Sequence, residues 1–200
     1  MIGYCGEMAH TAPGRRERKK AATRQALETA ARRLFLERGF DKVTIAEIAD
    51  AADTAVSTLF AHFPGGKEAL ILGDVQEREQ ALAAAVRNRP TGVSILQAVR
   101  RYLATRGPFD TDADAETRGI VELVVATPAL RTYARTLWTK CEDTLAGVIA
   151  EQTDRDADDL SLRLLARFIL QVPDLTGVEP DPPAAMDVAF HHLQRGWPEL

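Results

Sequence analysis

Side chains able to do covalent or metal chemistry are few in this chain and poorly spaced for it. The histidines are His10, His62, His191 and His192, and no two stand at the i, i+4 separation that puts a ligand pair on one helix face. There is no Cys-x-x-Cys, and no glycine-rich phosphate loop follows a strand. Cys141 has no histidine within a helical turn to take its proton. Adjacent His191 and His192 leave a helix on different sides and suit a surface or an interface. Catalytic residues, metal ligands and cofactors are therefore expected to be none, and an enzyme is a distant second reading. The residues are better suited to recognition. Arg15, Arg16, Arg18, Lys19, Lys20 and Arg24 face only Glu17 within residues 15–24, although the whole chain carries a net charge of −4. Positive charge focused at one end can follow phosphates while the acidic remainder is repelled. The plainer alternative is a solvated arm.

Residues 43–70 hold the elements that would position a recognition surface. Thr44 and Glu47 have capping-box spacing at the head of a short helix, and Ile45, Ile48 and Ala49 share one of its faces. Ala51 and Ala52 permit a close turn, Asp53 or Thr54 can cap the next helix, and Leu59 and Phe63 are spaced to turn back into a core. Ala55, Val56, Ser57, Phe60 and Ala61 remain outward, a surface suited to a major groove. Upstream, a helix over 21–38 places Leu27, Ala30, Ala31, Leu34 and Phe35 inside and stops at Gly39. Downstream, helices are expected over 67–88, 93–106, 116–126, 128–152, 158–171 and 183–195, with Pro128 in a first turn capped by Thr127. A Pro/Gly-rich connection is expected over 173–182.

No strand alternation is present, so the fold class is all-α: a leader over 1–14, a three-helix helix-turn-helix domain over 15–66, and a six-helix bundle over 67–200. Two hundred residues with 46% hydrophobic content can bury one sizeable core and a small appended domain. No apolar run reaches the length of about 18 residues needed to cross a bilayer, and no signal-peptide stretch opens the chain. A cytoplasmic location without membrane partners is expected. Cys5 falls in the leader and Cys141 on an apolar stripe, so no disulfide framework is expected. Met8 offers an alternative start.

The run Thr58-Leu59-Phe60-Ala61-His62-Phe63-Pro64-Gly65-Gly66-Lys67-Glu68, preceded by Arg38-Gly39-Phe40 and Val43-Thr44-Ile45, resembles the DNA-binding half of the TetR (tetracycline-repressor) family of transcriptional regulators. The resemblance covers about the first third of the chain. Asp53-Thr54-Ala55 replaces the family's usual Gly-Val-Ser, Phe60 replaces a Tyr, and one extra glycine separates Pro64 from Lys67. Ile120 to Arg131 looks like the helix-corner-helix of many actinobacterial-type members. The resemblance implies nine helices and a ligand-responsive repressor acting as a homodimer on a palindromic double-stranded DNA operator. It further implies that Val56, Ser57 and Phe60 face base edges with Ala55 near the helix start. Thr44, Thr58, His62 and Lys67 would hold phosphates, although Thr58 and His62 also suit local capping.

In the second domain, residues 120–126 are apolar nearly all round and so must be surrounded by other helices. Leu130, Tyr133, Leu137, Trp138, Cys141 and Leu145 form a stripe opposite them. Ile120, Leu123, Val124, Tyr133, Leu137, Trp138 and Cys141, together with Leu103 and Phe109, are expected to line a ligand pocket; ordinary packing is the alternative for each. Few charges fall on these faces, so a small apolar or amphipathic effector is expected, such as a long-chain acyl or aromatic metabolite. Leu164, Leu165, Phe168 and Ile169 form one further stripe, and Met186, Ala189, Phe190 and Leu193 another. In the family, such helices pair with their symmetry mates in a four-helix bundle; an intramolecular core is the alternative. For the whole chain, the competing account is an all-α module that binds a hydrophobic ligand without specific use of DNA.

Overall fold

In the computed structural model residues 14–196 are described, and all of their regular structure is helical. Four helices come first: α1 (Arg15–Arg38), α2 (Ile45–Ala51), α3 (Val56–His62) and α4 (Gly66–Leu72). Then follow α5 (Val75–Arg87), α6 (Ile95–Ala104), a 3-10 turn at Gly107–Phe109, α7 (Ala115–Ala126), α8 (Pro128–Lys140), α9 (Glu142–Thr153), α10 (Leu160–Thr176) and α11 (Pro182–Arg195). No described helix is long and apolar enough to cross a membrane. Cys5, Met8, His10 and nearly all of the expected leader lie outside the described residues.

The nine expected helices appear as eleven among the described residues because two are broken. The helix expected over 67–88 is cut at Gly73, whose φ of 72° is left-handed, and Asp74 restarts it by accepting from the Glu77 N–H at 2.9 Å. The helix expected over 128–152 is cut at Cys141, whose N–H turns back to the Trp138 carbonyl at 3.0 Å while its own carbonyl opens α9. Two boundaries also move. The basic run is not an arm: α1 begins at Arg15, so those charges ride on exposed helical turns. Helix α10 continues through Pro173, with the Thr176 hydroxyl donating to the Val172 carbonyl at 2.8 Å and the Gly177 N–H to the Pro173 carbonyl at 3.1 Å. Thr127 precedes Pro128 as expected, but its side chain makes no cap bond.

Two hydrophobic clusters hold the chain together. The first gathers Leu27, Phe35, Phe40, Ile48, Leu59, Phe63 and Leu70. The second gathers Leu82, Val99, Leu103, Leu145, Ile149, Ile169 and Phe190, with neighbours from α5 to α11. Each fully buried Leu, Ile or Phe contributes about 1.5–3 kcal/mol of transfer free energy. Helix α4 packs into the first cluster through Ala69, Leu70, Ile71 and Leu72, so the packing division falls at Gly73 rather than at residue 66. The clusters are not independent. Leu130 of α8 is fully buried in the first, where Leu123, Val124 and Tyr133 also pack, so the α7–α8 corner is keyed into the amino-terminal unit. Gly65 permits this approach, since a Cβ there would stand 2.5 Å from the Tyr133 hydroxyl oxygen.

The expected dimer stripes are divided by the fold. Met186 and Phe190 are 1% and 2% exposed and belong to the chain's own core, and Leu165, Ala189 and Leu193 pack against that core. Met186 and Phe190 are thus intramolecular contacts, the alternative given for them, while Leu165, Ala189 and Leu193 are only half-buried. Leu164 and Phe168, by contrast, are exposed, in helical register with exposed Leu160 and Leu175. Val188 of α11 is also exposed.

Candidate DNA-reading surface and ligand cavity

The capping box at the head of α2 is complete. Both the Thr44 N–H and its hydroxyl donate to one Glu47 carboxylate oxygen at 2.8 Å, and the Glu47 N–H donates back to Thr44 Oγ1 at 3.2 Å. Arg38 reaches the other carboxylate oxygen at 2.8 Å. The Thr44 donors, followed by Arg38, hold the Glu47 pKa down at about 2. After α2 the chain turns through Asp53 at φ 49°, a left-handed position that aspartate tolerates better than most residues, while the Thr54 N–H donates to the Ala49 carbonyl at 2.9 Å. Neither Asp53 nor Thr54 caps the next helix. Its N-cap is Ala55, without a side-chain bond, and α3 is held by burial of Leu59 and Phe63. Anchored there, α3 leaves Ala55, Val56, Ser57, Phe60 and Ala61 exposed, with Thr58 and His62 half-buried beside them.

Two cations expected at phosphates are engaged inside the protein. The Lys67 ammonium donates to the Phe40 and Val43 carbonyls, each at 2.9 Å, and lies 4.3 Å from the centre of the Phe40 ring. This geometry makes it a clamp between α4 and the loop that precedes α2, contrary to the phosphate role expected for it. Arg24 pairs with Glu28 at 3.1 Å, Glu77 at 2.9 Å and Asp74 at 3.9 Å, with its guanidinium 4.6 Å from the Phe63 ring centre. It therefore ties α1 to the start of α5. Arg15, Arg16, Arg18, Lys19 and Lys20 are exposed and join no ion pair among the described residues.

A cavity of about 490 Å³ lies where α1, α5, α6, α7, α8 and α10 meet. Leu103, Phe109, Ile120, Val124 and Trp138 line it, as expected. Leu123, Tyr133, Leu137 and Cys141 do not. Leu123 and Tyr133 face the amino-terminal cluster instead, and Leu137 is buried at 2% exposure. Cys141 is fully buried, donates its thiol to the Leu137 carbonyl at 3.2 Å, and is pushed by burial up to about 11.

The cavity's charge runs against expectation. Arg32, Arg78, Arg106, Arg131 and Arg135 line it, against Asp74, Glu77 and Asp174. Arg32 pairs with Glu116 at 2.7 Å and Arg135 with Asp174 at 2.8 Å. Arg78 donates to the Leu72 carbonyl at 3.0 Å and stacks 4.2 Å from the Trp138 ring centre, but its buried Nε has no hydrogen-bond partner among the described residues. Arg106 donates to the Tyr102 carbonyl at 2.6 Å and to Thr105 Oγ1 at 2.9 Å, with its guanidinium 3.6 Å from the Tyr102 ring centre. Burial is the main influence lowering the Arg78 pKa, and Arg106 adds like-charge repulsion. Burial raises the Tyr102 pKa, opposed by both arginines. A signal for Arg78 was present in the sequence: it occupies a helical apolar period with Val75, Leu82 and Val86, where a charge is out of place.

One wall of the cavity belongs to the connection between the two packing clusters. Arg32 comes from α1, while Ile71, Leu72, Gly73 and Asp74 form the break between α4 and α5. Anything filling the cavity therefore touches the support of the reading helix.

Comparison with known proteins agrees with this arrangement. Residues 28–73 match the model for bacterial regulatory proteins of the tetR family, and residues 93–173 match the MftR C-terminal domain. The HTH-type transcriptional regulator TcmR of Streptomyces glaucescens is 33% identical over 168 residues, which is 80% of this chain and 72% of TcmR. Among solved structures, Thermus thermophilus FadR, a TetR-family repressor in complex with lauroyl-CoA, matches with a TM-score of 0.56 and 23% identity over 86% of this chain and 94% of its own. FadR of Bacillus subtilis in complex with stearoyl-CoA matches with a TM-score of 0.54 and 18% identity over 86% of this chain and 98% of its own. Matched along most of its length by these family models and by TcmR, and folded as a helix-turn-helix unit beside a helical bundle, the chain belongs to the TetR family of ligand-responsive, DNA-binding transcriptional regulators.

Proposed function

We propose that this regulator is a repressor that binds a palindromic operator as a homodimer and is released by a small amphipathic effector held in the 490 Å³ cavity. The observation that carries this reading is the shared wall: Arg32 and residues 71–74 belong both to the cavity and to the mount of the DNA-reading unit. Val56, Ser57 and Phe60 meet base edges, with Val56 or Phe60 against a thymine methyl and Ala55 at the helix start. Thr58, His62 and the exposed basic turns of α1 contact phosphates, whereas Thr44, expected there too, has both donors taken by Glu47. Leu160, Leu164, Phe168 and Leu175 on α10, joined by Val188, form the dimer face.

Two copies of α3 must stand about 34 Å apart to enter successive major grooves. An effector that wedges the α4–α5 break changes that separation. A coupling of about 1–3 kcal/mol between the sites changes operator affinity about 5–150-fold. The acyl-CoA ligands in the two FadR structures make long-chain acyl compounds the first effectors to screen.

Selection from random duplex DNA over a range of salt tests the reading. Enrichment of a palindrome with half-sites about one turn apart, or multiples of a turn, is the expected result. Binding that is blind to sequence and lost at moderate salt would leave only the basic turns of α1 in contact with DNA, and would favour a ligand-binding module instead.

A further inference from the structure

Carboxylates normally neutralise arginines that a fold draws inward, and this cavity neutralises some of its arginines but not all. Among the described residues no carboxylate lies within ion-pair distance of Arg78, Arg106 or Arg131. The acids that share the wall are already committed: Glu77 and Asp74 to Arg24, and Asp174 to Arg135. Arg78 keeps a buried Nε without a partner, and both Arg78 and Arg106 lie on aromatic faces, Trp138 and Tyr102, that hold their guanidiniums in place. Beside them run Leu103, Ile120 and Val124, a purely apolar surface. The arrangement pairs a desolvated cationic end with a greasy one.

We infer that the cavity takes an organic anion, with its acidic head group against Arg78 and Arg106 and its apolar body along Leu103, Ile120 and Val124. This rests on the proposed use of the cavity as the effector site and narrows the amphipathic effector to an acidic one. A carboxylate or phosphate group there neutralises the positive charge of the two guanidiniums, which a neutral hydroxyl does not. Desolvation, which works against the charged form of Arg78, strengthens its attraction to an anion placed beside it.

The test measures binding of decanoate, decyl phosphate and 1-decanol to the full-length protein by calorimetry, each below its aggregation limit. The same titrations are repeated with Arg78→Gln and Arg106→Gln. The expected result is that at least one of the two anions binds wild type about tenfold or more tightly than decanol, and that each variant weakens the anion by about ten- to a hundredfold. Decanol affinity should stay within about threefold in the variants, a readout that a merely structural arginine would not produce. Stronger binding of decanoate assigns the head group as a carboxylate, and stronger binding of decyl phosphate assigns it as a phosphate. Decanol binding as tightly as both anions, or equal losses of all three ligands in the folded variants, overturns the proposal while leaving the cavity as an effector site. Failure of all three to bind wild type overturns the proposal and the effector-site reading together. Circular dichroism melts check folding. If Arg78→Gln does not fold, Arg106→Gln decides, because Arg106 bonds only to the end of its own helix.

Discussion

Replacing Lys67 by methionine separates a clamp from a phosphate ligand. The substitution keeps the aliphatic stem and removes the ammonium, together with its two bonds of 2.9 Å to the Phe40 and Val43 carbonyls and its stacking on the Phe40 ring. Hydrogen bonds to charged groups contribute about 1.5–3 kcal/mol each when buried, and the cation–π contact about 0.5–1 kcal/mol. Lys67 is only half-buried, so water replaces part of what is lost, and a total near 2–4 kcal/mol, about half to two thirds of the buried sum, is expected. In a chain of this size each kcal/mol moves the melting temperature by about 2–4 °C, giving a fall of about 5–15 °C. Calorimetric melting and operator binding over a salt series are the paired assays. The variant should melt early yet keep the wild-type slope of log affinity against log salt at temperatures where it is folded. An unchanged melting temperature with a slope reduced by about 0.9 per chain would show that Lys67 neutralises a phosphate, and the clamp assignment would fall.

Three further outcomes are expected. Glu47 has a folded pKa of about 2 against an ordinary 4.5, so its contribution to the α2 cap is fully present above pH 4.5 and is lost as pH falls through 2; its carboxyl carbon should titrate near 2 by NMR and move up in Thr44→Val, whereas a midpoint near 4.5 in both proteins would mean that the cap does not form. Burial holds the Cys141 pKa at about 11, so in a Cys5→Ser background the folded protein should resist Ellman's reagent at pH 8 until it is unfolded, and prompt reaction would contradict that burial. Phe168→Glu should sediment as a folded monomer at micromolar concentration, while Met186→Ala should remain dimeric but lose about 2–5 kcal/mol of stability; a dimeric Phe168→Glu would place the interface elsewhere.

Much of the reading unit is legible along the chain because its determinants are local. Thr44 and Glu47 are three residues apart and meet within one helical turn, so spacing alone foretells the bond. Ile48, Leu59 and Phe63 bury themselves as their helical period demands. The break at Gly73 was also written locally, as a glycine followed by Asp74 and by Glu77 at capping distance, but the apolar period running past it suggested one long helix. The break at Cys141 carries no glycine or proline, and nothing short of the packing of α8 and α9 reveals it.

The sequence by itself determined the helical class, the helix-turn-helix with its outward Val56, Ser57 and Phe60, and the apolar stripes available for burial, because each depends on residues within about four positions of one another. Tertiary structure alone decided which partner each stripe and each long cation takes. Met186 and Phe190 turned inward while Leu164 and Phe168 stayed out, according to which faces α10 and α11 present to the rest of the bundle. Lys67 reached two carbonyls more than twenty residues away in sequence, Arg24 reached the far side of the α4–α5 break, and Arg78 was carried into the cavity onto Trp138. A lysine or arginine has many rotamers of similar energy and a charged end far from its backbone, so its local sequence scarcely constrains it; the burial and charge of whatever the fold brings near select the one it adopts.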